Sequence, residues 1–332
     1  MPDDRTVLPN PRQTPRFAGI STFARYPRLE DVANANRPVD WAIYGVPYDS
    51  GVTYRPGTRF GPRAVRTESQ YVKRYHVEHE LDVCEILSLA DAGDSPVEPY
   101  DCERNTLAVT DFARTLGDAT HTKLFAVGGD HSIAYANIRA TWERRGKPEG
   151  GLAMVHFDSH LDTVDTTLNE RWSHASPFIR LVEDGCLNPN KMVSIGIKGP
   201  LNTRHDLDYA ASNGVTIITA EQVRREGCAR LDRFLDGLGD TPAYVTFDID
   251  AIDPSLAVGT GTPSVGGLTP AEAFALLRRL RGLDVIGGDV VEVLPDRDVG
   301  GNAALLAGHI MFEILCLDAA YRLDAAITRD GA

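Results

Sequence analysis

From Asp40 to the C-terminus, short apolar runs alternate with longer amphipathic stretches. The runs at 41–46 (WAIYGV), 85–90 (EILSLA), 123–128 (KLFAVG), 152–157 (LAMVHF), 192–197 (MVSIGI), 215–219 (VTIIT), 243–249 (AYVTFDI) and 284–290 (DVIGGDV) read as strands. They are too short for core helices, and their near-continuous apolar character predicts burial on both faces. Helical patterns lie between most of them, at 104–117, 132–145, 228–238, 270–281 and 302–322. Alternation of this kind predicts an α/β fold with one open, mostly parallel sheet covered by helices on both sides. Residues 1–37 are rich in Pro, Arg and Asn, lack periodicity, and read as an N-terminal arm or lid. No repeat or Gly/Ser linker divides residues 38–332, which read as a single domain.

In sheets of this type, ligands bind beyond the carboxyl ends of the strands. Four of the runs end in polar clusters: Gly128-Gly-Asp130-His131-Ser132, His156-Phe-Asp158-Ser-His160-Leu-Asp162, Asp248-Ile-Asp250-Ala-Ile-Asp253, and Asp289-Val-Val-Glu292. Asp158, His160 and Asp162 stand two residues apart, so in extended backbone their side chains point to one side. Asp248 and Asp250 repeat that offset, and His131 adds another imidazole. So many carboxylates in one cleft cannot all stay ionised unless cations share them. Carboxylate oxygens mixed with imidazole suit Mn²⁺ or a similar divalent ion, with Ni²⁺ and Co²⁺ as alternatives. His156 lies within its apolar run and reads as a hydrogen-bonded structural residue. Asp130 and Asp253 read as supporting or turn-shaping groups. His76, His79, His121, His205 and His309 lack a comparable context and read as structural or solvated.

Composition narrows the function class. A hydrophobic share of 42% with 24% charged residues excludes a disordered chain, a collagen and a coiled coil. Asp+Glu outnumber Lys+Arg by 47 to 34, which argues against a nucleic-acid partner and favours a cationic substrate. The five cysteines have no C-x-x-C spacing, so neither a disulfide framework nor a zinc knuckle is expected. No secretory h-region and no run of 18 apolar residues is present, and the expected location is the cytoplasm, away from membranes. There is no P-loop, and Gly259-Thr-Gly261-Thr lacks the third glycine of a dinucleotide fingerprint.

The order of motifs resembles the ureohydrolase (arginase/agmatinase) family over about residues 15–320. The matching segments are Gly-Gly-Asp-His-Ser at 128–132, Asp-Ser-His-Leu-Asp at 158–162, Ser-His-Ala-Ser-Pro-Phe at 173–178, Phe-Asp-Ile-Asp-Ala-Ile-Asp-Pro at 247–254, Gly-Thr-Gly-Thr-Pro at 259–263 and Val-Val-Glu-Val at 290–293. Thr53-Tyr-Arg-Pro-Gly-Thr-Arg-Phe-Gly-Pro62 is most like the agmatinase/guanidinobutyrase/guanidinopropionase branch. The resemblance implies a three-layer α/β/α, arginase-like fold with one eight-stranded sheet. It also implies two Mn²⁺ per subunit and a homotrimer or homohexamer. One ion would be held by His131, Asp158, Asp162 and Asp248, the other by Asp158, His160, Asp248 and Asp250. Departures from the family pattern are Ser159 for Ala, Ala175-Ser176 for Gly-Thr, and Leu294 for a polar residue. They leave all six ligand positions intact and fall where substrate would bind. Trp172, two residues before His174, is a further candidate for that pocket, and loops 48–60, 163–180 and 198–206 are candidates for recognising the substrate's tail.

The implied reaction is hydrolysis of a guanidino compound, such as agmatine, 4-guanidinobutyrate or 3-guanidinopropionate, to urea and an amine by a bridging hydroxide. Asp250 would orient the hydroxide, Glu292 would pair bidentately with the guanidinium, and His174 would shuttle a proton to the departing amine. Hydrolysis of a small guanidine with nickel is the runner-up. A zinc-dependent amine deacetylase of related fold is more remote, because it would leave His160 and Asp250 without a role. A metallophosphatase lacks its Gly-Asn-His-Asp/Glu element here.

Overall fold

Branched and aromatic side chains recur along the apolar runs, and they pair into one sheet in the computed structural model, which describes residues 4–34 and 38–330. The strands are β1 (Trp41–Val46), β2 (Leu89–Asp94), β3 (Lys123–Gly128), β4 (Leu152–Phe157), β5 (Leu187–Ile197), β6 (Thr216–Thr219), β7 (Ala243–Asp248) and β8 (Val285–Val291). Their order is β2-β1-β3-β8-β7-β4-β5-β6, and every adjacent pair is parallel. Strands β1, β3, β4, β7 and β8 are buried at every residue, which is why their sequences show no polar face.

Side chains nevertheless alternate between two cores. Phe125, Val127, Val155, Phe157, Val245 and Phe247 enter one of them, together with the C-terminal helix Asn302–Asp330. Leu124 and Ala126 face the other side, beneath helix Ile133–Arg144. Helices therefore cover both faces. The C-terminal helix holds a window apolar enough to cross a membrane, but 83% of that window is buried inside the fold, as expected of a core helix.

One strand differs from its expected place. Of residues 85–90, only Leu89 and Ala90 lie in a strand: Val83–Ile86 is a helical turn, capped by the Asp82 carboxylate accepting from the Cys84 amide at 3.0 Å. The strand follows at Leu89–Asp94, where Asp91, Gly93 and Asp94 masked its β character. A short apolar run fits a buried helical turn as well as a strand, and Asp82 decides between them.

Residues 1–3 and 35–37 of the expected arm lie outside the described residues. The described part follows edge strand β2. The Thr6 hydroxyl bonds the Leu87 carbonyl and accepts from the Leu89 amide, and the Phe23 amide donates to Asp91 at 2.9 Å. Phe23, Ala24 and Tyr26 are buried.

The sheet order has one consequence for function. The four strands that end in polar clusters, β3, β8, β7 and β4, are the four consecutive strands at its centre.

Candidate metal centre

Each polar cluster leaves its strand through a turn that the local sequence enforces. After β3, Gly129 takes φ +48°, and a Cβ there would lie 2.5 Å from the Val46 carbonyl oxygen. Only glycine fits that approach, and it delivers Asp130 and His131 to the mouth of helix Ile133–Arg144. Asp162 and Glu292 also adopt left-handed φ, +50° and +65°. Such backbone costs about 1–3 kcal/mol per non-glycine residue and persists where a site over-determines it.

Six side chains converge. His131 Nδ1 lies 3.1 Å from Asp158, 2.9 Å from Asp162 and 3.4 Å from Asp248. His160 Nδ1 lies 3.3 Å from Asp158 and 3.2 Å from Asp250. The Asp250 amide donates to Asp248 at 2.7 Å, and Asp250 in turn accepts from the Ser159 amide at 3.0 Å. All but His160 are buried.

Neighbouring groups fix the tautomer of His131. Its Nε2 is 2.9 Å from the Thr246 hydroxyl, which donates onward to Asp289 at 2.6 Å. Nε2 therefore carries a proton, and Nδ1 faces three carboxylates, which against the effect of burial drive the pKa of the ring well above its ordinary value. That buried Nδ1 has no hydrogen-bond partner. A lone pair set against three anions is unfavourable unless a cation or proton lies between them.

The titration of these groups reflects the same conflict. Burial, then the charges of Asp250 and Asp158, drive Asp248 well above the usual carboxylate range. Asp158 is as deeply buried, yet His156, His131 and His160 hold it well below that range. His156 Nε2 contacts Asp158 at 2.8 Å and its Nδ1 contacts Ser194 at 3.0 Å, so it braces Asp158 from within β4. Imidazole nitrogens facing a surplus of buried carboxylate oxygens fit divalent cations of the Mn²⁺, Ni²⁺ or Co²⁺ kind.

Glu292 and His174 stand beside this cluster. Glu292 Oε1 accepts from the His131 amide at 2.9 Å and from His174 Nδ1 at 2.9 Å. Its Oε2 is buried and unpartnered, so one oxygen is left for a ligand rather than the two a bidentate contact needs. His174 is held on three sides. Its amide donates to the Gly51 carbonyl, while Nε2 lies 3.0 Å from the Thr53 amide and 2.8 Å from the Thr53 hydroxyl. Burial opposes protonation of His174, but the Glu292 contact outweighs it and pushes the pKa up to about 9. The Thr53 amide acts the other way, because an N–H aimed at Nε2 favours the neutral ring.

A cavity of about 440 Å³ opens above the cluster, lined by His160, Asp162, His174 and Asp248 at its floor. Its walls draw on Thr53, on Val164, Thr167 and Ala175, and on Pro200, Leu201, Asn202 and Asp206. Trp172 is not among the lining residues; it packs edge-on to Tyr135 with ring centroids 4.9 Å apart.

The family model described as Arginase family matches residues 39–317. The chain belongs to the arginase family. It is 40% identical to guanidinopropionase of Pseudomonas aeruginosa over 92% of this chain and 93% of that protein. It is 36% identical to the mitochondrial agmatinase of Gallus gallus, over 94% of this chain and 89% of that protein. Among solved structures, proclavaminate amidino hydrolase from Streptomyces clavuligerus superposes with a TM-score of 0.85 at 36% identity, covering 93% of this chain and all of that one.

Several groups that shape this arginase-family site have no individual role assigned from the sequence. Thr246 and Asp289 lie within neighbouring strands, and register makes them partners. Thr53 and Thr262 reach His174 and Asp250 from distant loops. Lys198 turns its ammonium onto the Ser159 hydroxyl and the Asp250 carbonyl. That places a positive charge behind Asp250 and gives Ser159, a departure from the family pattern, a specific partner.

Proposed function

We propose that this arginase-family chain is a metal-dependent amidinohydrolase that splits a guanidino compound into urea and an amine. The observation that carries the reading is a pair of unsatisfied buried atoms: His131 Nδ1 facing three carboxylates, and Glu292 Oε2, whose companion oxygen bonds the His131 amide. The first suits a metal cation and the second suits a guanidinium N–H.

His131, Asp158, Asp162 and Asp248 would hold one ion, and Asp158, His160, Asp248 and Asp250 the other, with Mn²⁺ the fitting choice and Ni²⁺ or Co²⁺ served by the same donors. When bound, such a pair supplies Lewis acidity that makes water a competent nucleophile near neutral pH. The remaining tasks fall to the protein. Asp250 is fixed by Ser159 and Thr262, and it orients the attacking water. Glu292 Oε2 takes a guanidinium N–H and sets the reacting carbon over the cluster. His174 lines the cavity and holds the proton that the departing amine needs. Glu292 favours the charged ring and the Thr53 amide the neutral one, a balance suited to a group that gains and loses one proton per turnover.

All five cysteines are unpaired, which supports placing the enzyme in a reducing cytosol. Assembly as a homotrimer or homohexamer rests on the family resemblance.

Urea release tests the function. The purified protein, loaded separately with Mn²⁺ and Ni²⁺, is incubated with arginine, agmatine, 3-guanidinopropionate, 4-guanidinobutyrate and guanidine. Urea from one compound far above the rest is the expected result. No urea from any of them, with two metal ions bound per chain, overturns the reading.

A further inference from the structure

The walls of the cavity bear on the far end of the substrate, which the reacting groups do not touch. We propose that Asp206 makes this cavity select guanidino compounds whose far end is a cation over those that end in a carboxylate. The inference rests on the amidinohydrolase reading and adds the polarity of the tail to it.

Among the described residues that line the cavity, none is Lys or Arg. Away from the floor groups His160, Asp162, His174 and Asp248, the one ionisable side chain in the wall is Asp206. It lies in the short helical turn Arg204–Leu207 and reaches back to the capping residue, accepting from the Thr203 amide at 3.2 Å and from the Thr203 hydroxyl at 3.3 Å. Both donors are neutral, so neither supplies a counter-charge to the carboxylate. The other wall groups, such as Asn202, Leu201, Pro200 and Thr167, carry none.

The cations nearby in sequence do not offset that charge. Lys198 points inward, with Nζ on the Asp250 carbonyl at 2.9 Å and on the Ser159 hydroxyl. The His205 ring turns to Asp208 at 2.7 Å. Arg204 is exposed and outside the lining. A carboxylate tail would therefore meet Asp206 without a counter-charge, whereas a primary ammonium would find an acceptor with free lone pairs. Electrostatic discrimination of this kind acts as much by rejecting the wrong charge as by binding the right one.

The test compares kcat/KM of the metal-loaded enzyme for agmatine and 4-guanidinobutyrate. These are guanidino compounds of similar length with opposite charges at the far end. The wild type is expected to favour agmatine. Asp206→Asn keeps an acceptor for the Thr203 amide and is expected to lower the agmatine-to-acid ratio by about tenfold or more. Asp206→Lys is expected to reverse the preference. The ratio does not depend on how much of each variant is folded. A wild-type preference for 4-guanidinobutyrate overturns the inference while leaving the amidinohydrolase reading in place. So does a ratio unmoved by both substitutions, or an acid preference that Arg204→Ala removes. Absence of urea from every guanidino compound overturns the reading and this inference with it.

Discussion

The two ends of the central strands both bury charge, and they treat it in opposite ways. At the amino end, β3 begins with Lys123, whose ammonium bonds Asp318 at 2.9 Å and the Val285 carbonyl at 2.6 Å. Arg322 bridges Asp318 at 3.0 Å and Asp40 at 2.6 Å, Arg5 reaches Asp40 at 3.0 Å, and the Trp41 indole donates to Asp318 at 2.8 Å. Every buried acid there has a cation supplied by the chain. At the carboxyl end, Asp130, Asp158, Asp162, Asp248, Asp250 and Glu292 are buried around His131 and His160, and Lys198 stands behind the cluster rather than within it. The difference teaches how to tell a structural charge cluster from a binding one inside a single fold. A cluster balanced from within holds the fold together. A cluster with surplus anions and an unpartnered lone pair needs something from solution.

The comparison can be broken most sharply at the carboxyl end. Asp158→Asn or Asp248→Asn removes a carboxylate shared by both proposed ions, and is expected to abolish metal content and urea release together. Metal analysis beside the activity assay checks this, and full activity in both variants would dissolve the distinction between the two ends. His174→Ala is expected to leave metal content intact and slow turnover by about 10²–10⁴-fold, the loss typical of a removed proton-transfer group.

At the amino end the same kind of change should act on stability instead. Lys123→Met leaves Asp318 with Arg322 and Trp41 and is expected to cost about 3 kcal/mol in denaturant unfolding, near the low end for a broken buried pair. Metal content and kcat should stay at wild-type levels, and loss of metal would show that the two ends are coupled. The smallest effect is one of pH. Despite burial, Lys123 and Arg322 hold the Asp318 carboxyl below its ordinary value of 3.8. Its contribution to stability is therefore complete above about pH 4 and declines as pH falls below that. The acid limb of the stability profile should be shallower in Asp318→Asn than in the wild type, and an identical limb would remove Asp318 from the amino-end account.

Much of this was legible along the chain. Strands buried on both faces announced themselves as unbroken apolar runs, and seven of the eight fall within a few residues of their observed places. The eighth failed because Asp82 caps a turn inside an apolar stretch, while the true strand carries Asp91 and Asp94 at a sheet edge, where Arg66 pairs with both. The acids and histidines of the site stood out because each follows a strand, and the two-residue offsets put them on one side. Thr53, Lys198 and Asp206 fell in loops marked for substrate recognition and Asp289 in a polar cluster at a strand end, but their individual roles, and that of Thr246, depend on partners distant in sequence.

The sequence by itself determined which residues leave the strands and in what chemistry: periodicity and spacing are local, and the chain carries them wherever it folds. Only the tertiary structure decided that β3, β8, β7 and β4 lie side by side, because strand order is a non-local choice. That order brings His131 Nδ1 to three carboxylates contributed by two other strands, turns Glu292 so that one oxygen is occupied and one is free, and sets Asp206 in a wall without a cation. A lone pair or a charge has meaning only relative to what faces it, and what faces it comes from elsewhere in the chain.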